Sequence, residues 1–481
     1  MVEEHTPSSG LGRRSFLKKS AIGAGIMTLP SFVVGQVPTV LSPNNRLNLA
    51  LVGVAGKAKT HCVSALAENV VALCDVDMGH VNNERYYDGP SEGKQKQSSQ
   101  FNEALTTFEK KGARWFTDYR VMLDEMGDKI DAVVITTPDH MHFPIAMSAI
   151  NRGKHVYVEK PMAHTVEEAQ LMREAAEKAG VVTQMGNQGH SNGGARLVKE
   201  WIAAGVIGEV REVHSWTNRP AAYWEQGLPR PDHSAGAPPV PEGLDWKLWL
   251  GVAEERAYDP AYMPFDWRAY TDFGCGALGD MGCHIMDAAI WGLDLGYPLE
   301  VSAATSAMNG YTYPKQTAVT YTFPSRGAFP ELTYHWYSGG LYPPIPAFMK
   351  ETDPFRGDSI QTNGTLIVGE GAALLIDTYS SSVRMLPREK FIEARSSLPP
   401  KTLRRIKGDH FTEWTNAIRE NRKATSDFSY AGPMTETVLI GAAAIRAGRP
   451  LKFDASSRMF VGDDEANRFL KKDYPDGWIL S

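Results

Sequence analysis

The sequence predicts an α/β protein of two domains, and three observations carry that reading. At 481 residues the chain is too long for one ordinary core, because single cores stop growing at about 250–300 residues. A strand–turn–helix–strand pattern opens at Arg46 and ends on an acidic residue, Asp75. Several segments of alternating polarity then follow between Glu209 and Val368, as half-buried strands do. Charged residues make up 22%, hydrophobic residues 42%, and the formal net charge is −6. That is a soluble globular profile without the basic footprint of a nucleic-acid binder.

The first forty residues read as an address. Arg13-Arg14-Ser15-Phe16-Leu17-Lys18 precedes a weakly apolar run from Ala21 to Val34, broken by Gly23, Gly25 and Pro30, the order of a twin-arginine export signal. Residues 1–40 are therefore expected to be signal and linker, with the twin-arginine translocation machinery as a partner and the periplasm as destination. The run is short and glycine-rich for a bilayer span. It lacks an A-x-A site, the best cleavage candidate having Val33 at minus three and Gly35 at minus one, so a membrane-anchored precursor remains an alternative. Export in the folded state lets a cofactor be loaded beforehand, and a periplasm offers no obvious free pool, so a tightly held cofactor is expected. Cys62, Cys74, Cys275 and Cys283 form no CxxC pair and read as unpaired core thiols, with one or two disulfides the alternative.

Arg46 to Val54 is a strand running into a turn, Gly53-Val54-Ala55-Gly56-Lys57-Ala58, followed by a helical pattern from Cys62 to Leu66 and a second strand ending at Asp75. This is the Rossmann order, with the acidic residue about twenty positions past the turn to accept ribose hydroxyls. The glycine pattern is degenerate: alanine holds the second and third fingerprint positions, so Gly56 and Lys57 are the expected backbone donors and charge for the phosphates. Asp75 favours NAD by repelling a 2′-phosphate, with NADP the alternative. Gly79 to Lys111 is a polar, helix-prone embellishment. Asp131 to Thr137 is a buried strand, and Pro138-Asp139-His140-Met141-His142 follows at its carboxyl end, the edge that faces a cofactor crevice. His140 and His142 could share a metal, but no third ligand is placed beside them and none is expected. His155 to Val158 is another strand, leading into Glu159-Lys160-Pro161, where the proline imposes an extended turn that holds the lysine in the crevice.

In these residues the chain resembles the glucose-fructose oxidoreductase, inositol dehydrogenase and rhizopine catabolism family, Gfo/Idh/MocA. The carrying residues are the turn from Gly53 to Ala58, Asp75, Thr137-Pro138 with His142, Glu159-Lys160-Pro161, and Asp280-Met281-Gly282-Cys283-His284. The resemblance implies a Rossmann dinucleotide-binding domain over 45–165. It further implies an α+β domain over 166–481, with an open, mostly antiparallel sheet, for substrate binding and oligomerisation as a dimer or tetramer. The residues agree: Glu209–Thr217, Leu299–Ala307, Ala318–Phe323, Glu331–Tyr337 and Thr365–Val368 read as strands, Ala195–Ala204 and Phe411–Glu420 as helices.

The resemblance also implies the catalytic set Lys160, Asp280 and His284: His284 takes the hydroxyl proton as hydride leaves carbon, while Asp280 and Lys160 orient the sugar and tune that base. Asp280 and His284 are four apart, hence on one face of a helix. The surrounding Gly274, Gly276, Gly279 and Gly282 suggest close approach of backbone to ligand. The cofactor contacts expected are Gly53, Val54, Ala55, Gly56, Lys57, Asp75, Thr137, Pro138, His142, Glu159, Lys160 and Gln188, the last following the strand Val181–Met185. Trp224, Trp246, Trp249, Trp267 and Arg268 lie in a stretch suited either to stacking on sugar rings or to a proline-stiffened packed loop; with Lys160, Asp280 and His284, Trp267 and Arg268 are the expected substrate contacts. The expected activity is NAD(P)-dependent oxidation or reduction of a secondary hydroxyl or keto group on a sugar, glycoside or cyclic polyol. The alternative is an NAD-dependent glycoside hydrolase or lyase acting through a transient keto-sugar.

Overall fold

The computed structural model describes residues 45–221, 223–349 and 362–478; the twin-arginine segment lies outside them. Among the described residues are two sheets. The first is built from β1 (Asn48–Val52), β2 (Asn69–Cys74), β3 (Arg114–Phe116), β4 (Ala132–Ile135), β5 (His155–Val158) and β6 (Thr183–Met185). They pair in parallel in the order β3-β2-β1-β4-β5-β6. The continuous apolar runs are explained by burial on both faces. Leu49, Leu51, Leu73 and Val134 pack on one side with Phe101, Leu105 and Trp414. Ala50, Val52, Val133 and Ile135 pack on the other with Met122, Ile145 and Met172.

The strand order reverses between β1 and β4, whose carboxyl ends therefore part to leave a crevice. The expected helix after the turn starts earlier than its apolar pattern, at Ala58. Helix Val166–Ala179 begins with a capping box, Thr165 accepting from the Glu168 amide and Glu168 accepting from the Thr165 amide, and ends at Gly180 in the left-handed region. This helix is the crossover to β6, so the first sheet continues past the expected boundary at 165. A further correction concerns 166–481 as one domain. Helix His410–Arg419 returns to the first sheet, where Phe411 and Trp414 pack beside Tyr157, because its apolar stripe finds an uncovered face there.

The second sheet contains β7 (Glu212–Thr217), β8 (Glu300–Thr305), β9 (Thr317–Phe323), β10 (Leu332–Ser338), β11 (Asn363–Val368), β12 (Ala373–Ile376), β13 (Val383–Leu386), β14 (Leu451–Asp454) and β15 (Met459–Phe460). Their order is β13-β12-β11-β7-β10-β9-β8-β14-β15. β7 and β10 pair in parallel and the other neighbours are antiparallel. β9 and β10 alternate strictly between buried and half-buried residues. Val319, Tyr321, Tyr334 and Trp336 face the core, where helices Gly276–Ile285 and Phe428–Ala447 pack. All four cysteines are buried and free. Among the described residues no helix is long and apolar enough to cross a membrane.

Candidate active site at the switch point of the parallel sheet

A cavity of about 550 Å³ opens at the carboxyl ends of β1, β4 and β5 and is lined by both domains. Its floor is the turn after β1. Gly53 has φ +77°, and a Cβ there would meet the Thr136 carbonyl oxygen at 2.7 Å, so glycine is required twice over, by backbone conformation and by the approach of β4. Gly56 has φ +60° but open space around it. Gly53, Ala55, Gly56, Lys57, Asp75, Thr137, Pro138, Glu159, Lys160 and Gln188 all line the cavity.

Two expected cofactor contacts do not. Val54 is buried in the core beneath the turn, and its amide is taken by Asp75. His142 is fully buried with Nδ1 2.8 Å from the Pro161 carbonyl and Nε2 2.9 Å from the Thr137 carbonyl, so it clamps the ends of β4 and β5 together instead of meeting a ligand. His140 is placed in the same way, its two ring nitrogens facing the Phe273 and Trp249 carbonyls, so both rings are set against backbone carbonyls within the core.

Asp75 Oδ2 accepts from Val54 at 2.7 Å and Oδ1 from Asp77 at 3.0 Å. A carboxylate has about four acceptor sites, so the residue organises the turn and retains capacity for ribose hydroxyls. Burial raises its pKa, with the backbone amides opposing. Glu159 accepts from His61 at 2.8 Å and lies 3.9 Å from Lys57. Burial works against its charge, but Lys57 and His61 together hold it well below the usual carboxylate range.

Opposite this floor, helix Gly276–Ile285 presents Asp280 and His284 to the cavity. Lys160 donates to the Asp280 carboxylate at 2.7 Å and to its backbone carbonyl at 2.9 Å. Arg268 lies 3.3 Å and Arg219 3.8 Å from the same carboxylate. Burial opposes both charges of the Lys160–Asp280 pair and is outweighed. The lysine is held above its ordinary range by the carboxylate, and the carboxylate below its own by Lys160 and Arg268. Burial, aided by the Lys160 charge, pushes His284 down to about 3, so its ring is neutral at pH 7.

The glycines of this segment serve protein packing, contrary to the expected approach of ligand. A Cβ on Gly274 would meet the Arg268 backbone at 2.6 Å, on Gly276 the Tyr313 ring at 2.6 Å, and on Gly282 the Val438 side chain at 3.2 Å. They let the helix sit close enough to its neighbours for Asp280 to reach Lys160.

The aromatic stretch divides. Trp249 and Trp267 line the cavity. All four tryptophans belong to one apolar cluster with Tyr262, Tyr270 and Phe273, but Trp224 and Trp246 do not reach the cavity, and Trp246 is stacked on Trp249 at 4.8 Å, so these two rings chiefly stiffen the lobe. Arg268 lies 4.2 Å over Trp267.

Among the cavity residues that the sequence reading did not single out, three lie close to the Lys160, Asp280 and His284 set. Asp139, in the loop after β4, accepts from the Cys275 amide at 3.1 Å, and burial pushes it up to about 7 against the pull of Arg268 and Lys160. Arg219, at the end of β7, approaches Asp280. Tyr379 sets its ring edge-on to His284 at 5.1 Å, its carbonyl held by Asn192 at 2.7 Å. Only Asp139 had a local signal, its place at a strand end facing the crevice.

Thr136 Oγ1, Thr137 Oγ1, Gln188 Oε1, Arg219 Nε and His284 Nδ1 are buried around this cavity without hydrogen-bond partners. Buried polar atoms are otherwise nearly always satisfied, so this concentration of them fits a polar ligand that supplies the missing partners. A nicotinamide dinucleotide along the Gly53 turn, with a hydroxylated substrate beyond it, is such a ligand.

Comparison with known proteins agrees with this architecture. The chain is 28% identical over 174 residues to levoglucosan dehydrogenase of Pseudarthrobacter phenanthrenivorans, covering 36% of this chain and 35% of that protein. It is 29% identical over 124 residues to an NADP+-dependent scyllo-inositol 2-dehydrogenase of Bacillus subtilis, covering 25% and 35%. The matched segments thus span about a third of either relative. The WlbA dehydrogenase from Bordetella pertussis, solved with NADH and UDP-GlcNAcA, shares the fold with a TM-score of 0.53 and 17% identity, over 85% of this chain and 99% of that one. Two domain models of one oxidoreductase family match, an NAD-binding Rossmann fold over residues 47–187 and a C-terminal α/β domain over 198–326 and 400–480. Together they cover more than half of the sequence, and the chain belongs to the Gfo/Idh/MocA oxidoreductase family.

Proposed function

We propose that this protein is an NAD(P)-dependent oxidoreductase that oxidises or reduces a secondary hydroxyl or keto group of a sugar, glycoside or cyclic polyol. The observation that carries the reading is the Lys160–Asp280 pair beside a buried, unpartnered His284 nitrogen, at the mouth of a parallel-sheet crevice. The bound dinucleotide supplies the hydride acceptor or donor. Lys160 has three donors and spends two on Asp280, leaving one for a substrate hydroxyl. Neutral His284 is able to accept the hydroxyl proton, and Arg219 and Arg268 balance the Asp280 charge. The test is a spectrum of the purified protein for bound cofactor, followed by a panel of glycosides and polyols. A keto product with intact aglycone supports the reading; no bound dinucleotide and no affinity for added NAD or NADP overturns it.

Elimination through a transient keto-sugar is the second reading, favoured by one observation: Asp139 adds a further proton-handling group to the cavity. Release of free aglycone in the same panel distinguishes it. For either chemistry, oxidation is expected to rise with pH through about 7 as Asp139 ionises, and Asp139→Asn is expected to flatten that limb of the kcat/KM profile. Stability gives an independent check. A carboxyl whose folded pKa is raised loses stability as pH climbs from its unfolded value, about 4, to its folded value, and no more above it. Asp139→Asn should therefore raise Tm relative to wild type at pH 7.5 and leave it unchanged near pH 4; equal Tm differences at both pH values exclude this origin.

The Arg13-Arg14 motif supports export by the twin-arginine route with a cofactor loaded before transport. Replacing both residues by Lys is expected to leave the full-length protein in the cytoplasmic fraction, while periplasmic recovery at wild-type level counts against that route. The second domain is the part on which the family resemblance puts contact between copies, as a dimer or tetramer. Light scattering of the purified chain tests it.

A further inference from the structure

The exposed side of the second sheet carries a group of side chains that the crevice chemistry does not use. Glu212 and His214 lie two apart on β7, hence on one face, and His335 is the direct partner of His214 on β10, in the parallel pairing. Glu212 Oε1 is 3.2 Å from His214 Nε2 and 3.6 Å from His335 Nε2, and one ligand atom from each of the three lies within 4.8 Å of the others. The two imidazole rings stack at 5.1 Å with their planes 14° apart.

The remaining ring nitrogens are spoken for. His214 Nδ1 is 3.3 Å from the Tyr337 hydroxyl and His335 Nδ1 is 3.1 Å from Thr320 Oγ1. Each hydroxyl is able to accept from Nδ1–H, the tautomer that frees the Nε2 lone pair beside Glu212, and outer partners at the second ring nitrogen are usual for metal-ligating histidines. Bonds of about 2.0–2.1 Å in tetrahedral geometry set neighbouring ligand atoms about 3.3 Å apart, close to the two separations that involve Glu212.

We propose that Glu212, His214 and His335 form a divalent-metal site of the zinc class, bound through two imidazole Nε2 atoms and one carboxylate oxygen, with a fourth position open to water. Two nitrogens and an oxygen suit zinc among the common divalent ions. His214 is 2% exposed at its side chain and preset, whereas His335 at 23% and Glu212 at 46% have room to close on an ion. None of the three lines the crevice, so the ion stands apart from the crevice chemistry and ties β7 to β10, the parallel pair in this otherwise antiparallel sheet. Glu212 and His214 are a local pair on β7, but the third ligand, His335, comes from β10, far away in the chain, so no metal spacing is legible in the sequence.

The test uses the full-length protein, treated with chelator, dialysed, and titrated with zinc chloride against a chromophoric competitor. Wild type is expected to bind one zinc more per chain than His335→Ala, and Glu212→Gln, which keeps shape while removing the anionic ligand, is expected to weaken that zinc by at least about tenfold. Added zinc should raise Tm in wild type and not in His335→Ala. If His335→Ala does not fold, Glu212→Gln alone decides by its affinity. Equal stoichiometry and affinity in wild type and in every variant that folds overturns the proposal, and leaves the three side chains as a hydrogen-bonded triad only.

Discussion

Replacing Lys160 by Ala is expected to lower kcat/KM by at least about 100-fold for whichever sugar or polyol the wild-type protein turns over, the lower range for removing a positioned proton-handling group. The reason lies in the donor count. Two of the three ammonium protons are engaged by Asp280, so the third is held in a fixed direction without any cost of ordering at the moment of reaction. The protein should still fold. Breaking a buried ion pair costs about 3–5 kcal/mol when it strands the partner charge, but Asp280 retains Arg268 at 3.3 Å and Arg219 at 3.8 Å, and the loss in a denaturant titration should fall below that range. Affinity for NAD should change less than tenfold, because the Gly53 turn is untouched. His284→Ala should lower kcat/KM similarly, and the double variant should lose far less than the product of the two, as residues acting as one unit do. Turnover at the wild-type rate in Lys160→Ala would remove the lysine from the chemistry.

The parts of this site legible in the sequence are those whose signal is local. The turn at Gly53, the acidic end of β2, the Glu159-Lys160-Pro161 strand end and the four-residue spacing of Asp280 and His284 each specify a backbone shape within a few residues. Side-chain direction was the first thing this left undetermined. His142 stands next to crevice residues in sequence, yet its ring turns inward, where its one N–H meets a strand-end carbonyl. Tertiary approach was the second: Arg219 and Tyr379 come from a strand end and a turn of the second domain, and nothing near either marks it as a neighbour of Lys160. The glycines before His284 show a third gap, since a sequence records that backbone comes close to something without recording whether that is ligand or protein. The boundary at 165 was misplaced for a related reason. A crossover helix such as Val166–Ala179 has the same amphipathic pattern whether the strand after it joins the old sheet or begins a new one.

Gly53→Ala is the other substitution expected to have a large effect, and its contrast with Gly56→Ala separates close approach from backbone conformation. Both glycines have positive φ, so alanine at either is strained by about 1–2 kcal/mol. At Gly56 nothing lies within 4 Å of the added carbon, and that strain is the whole cost. At Gly53 the carbon would meet the Thr136 carbonyl oxygen at 2.7 Å and the Thr137 amide nitrogen at 3.0 Å, and relief requires β1 and β4 to move apart. Overpacking of this kind adds about 1–3 kcal/mol. The displacement falls on the crevice itself, moving Thr136 and Thr137 relative to the turn and breaking the register in which Asp75 holds the Val54 amide at 2.7 Å. Trp249, Trp267 and Trp478 line the cavity, so quenching of tryptophan fluorescence by added NAD reads affinity directly. Gly56→Ala should weaken NAD by less than about tenfold. Gly53→Ala should weaken it by more than about 100-fold and lower Tm further than Gly56→Ala does. Equal effects of the two substitutions would mean that conformation alone governs this turn and that the approach of β4 contributes nothing to holding the dinucleotide.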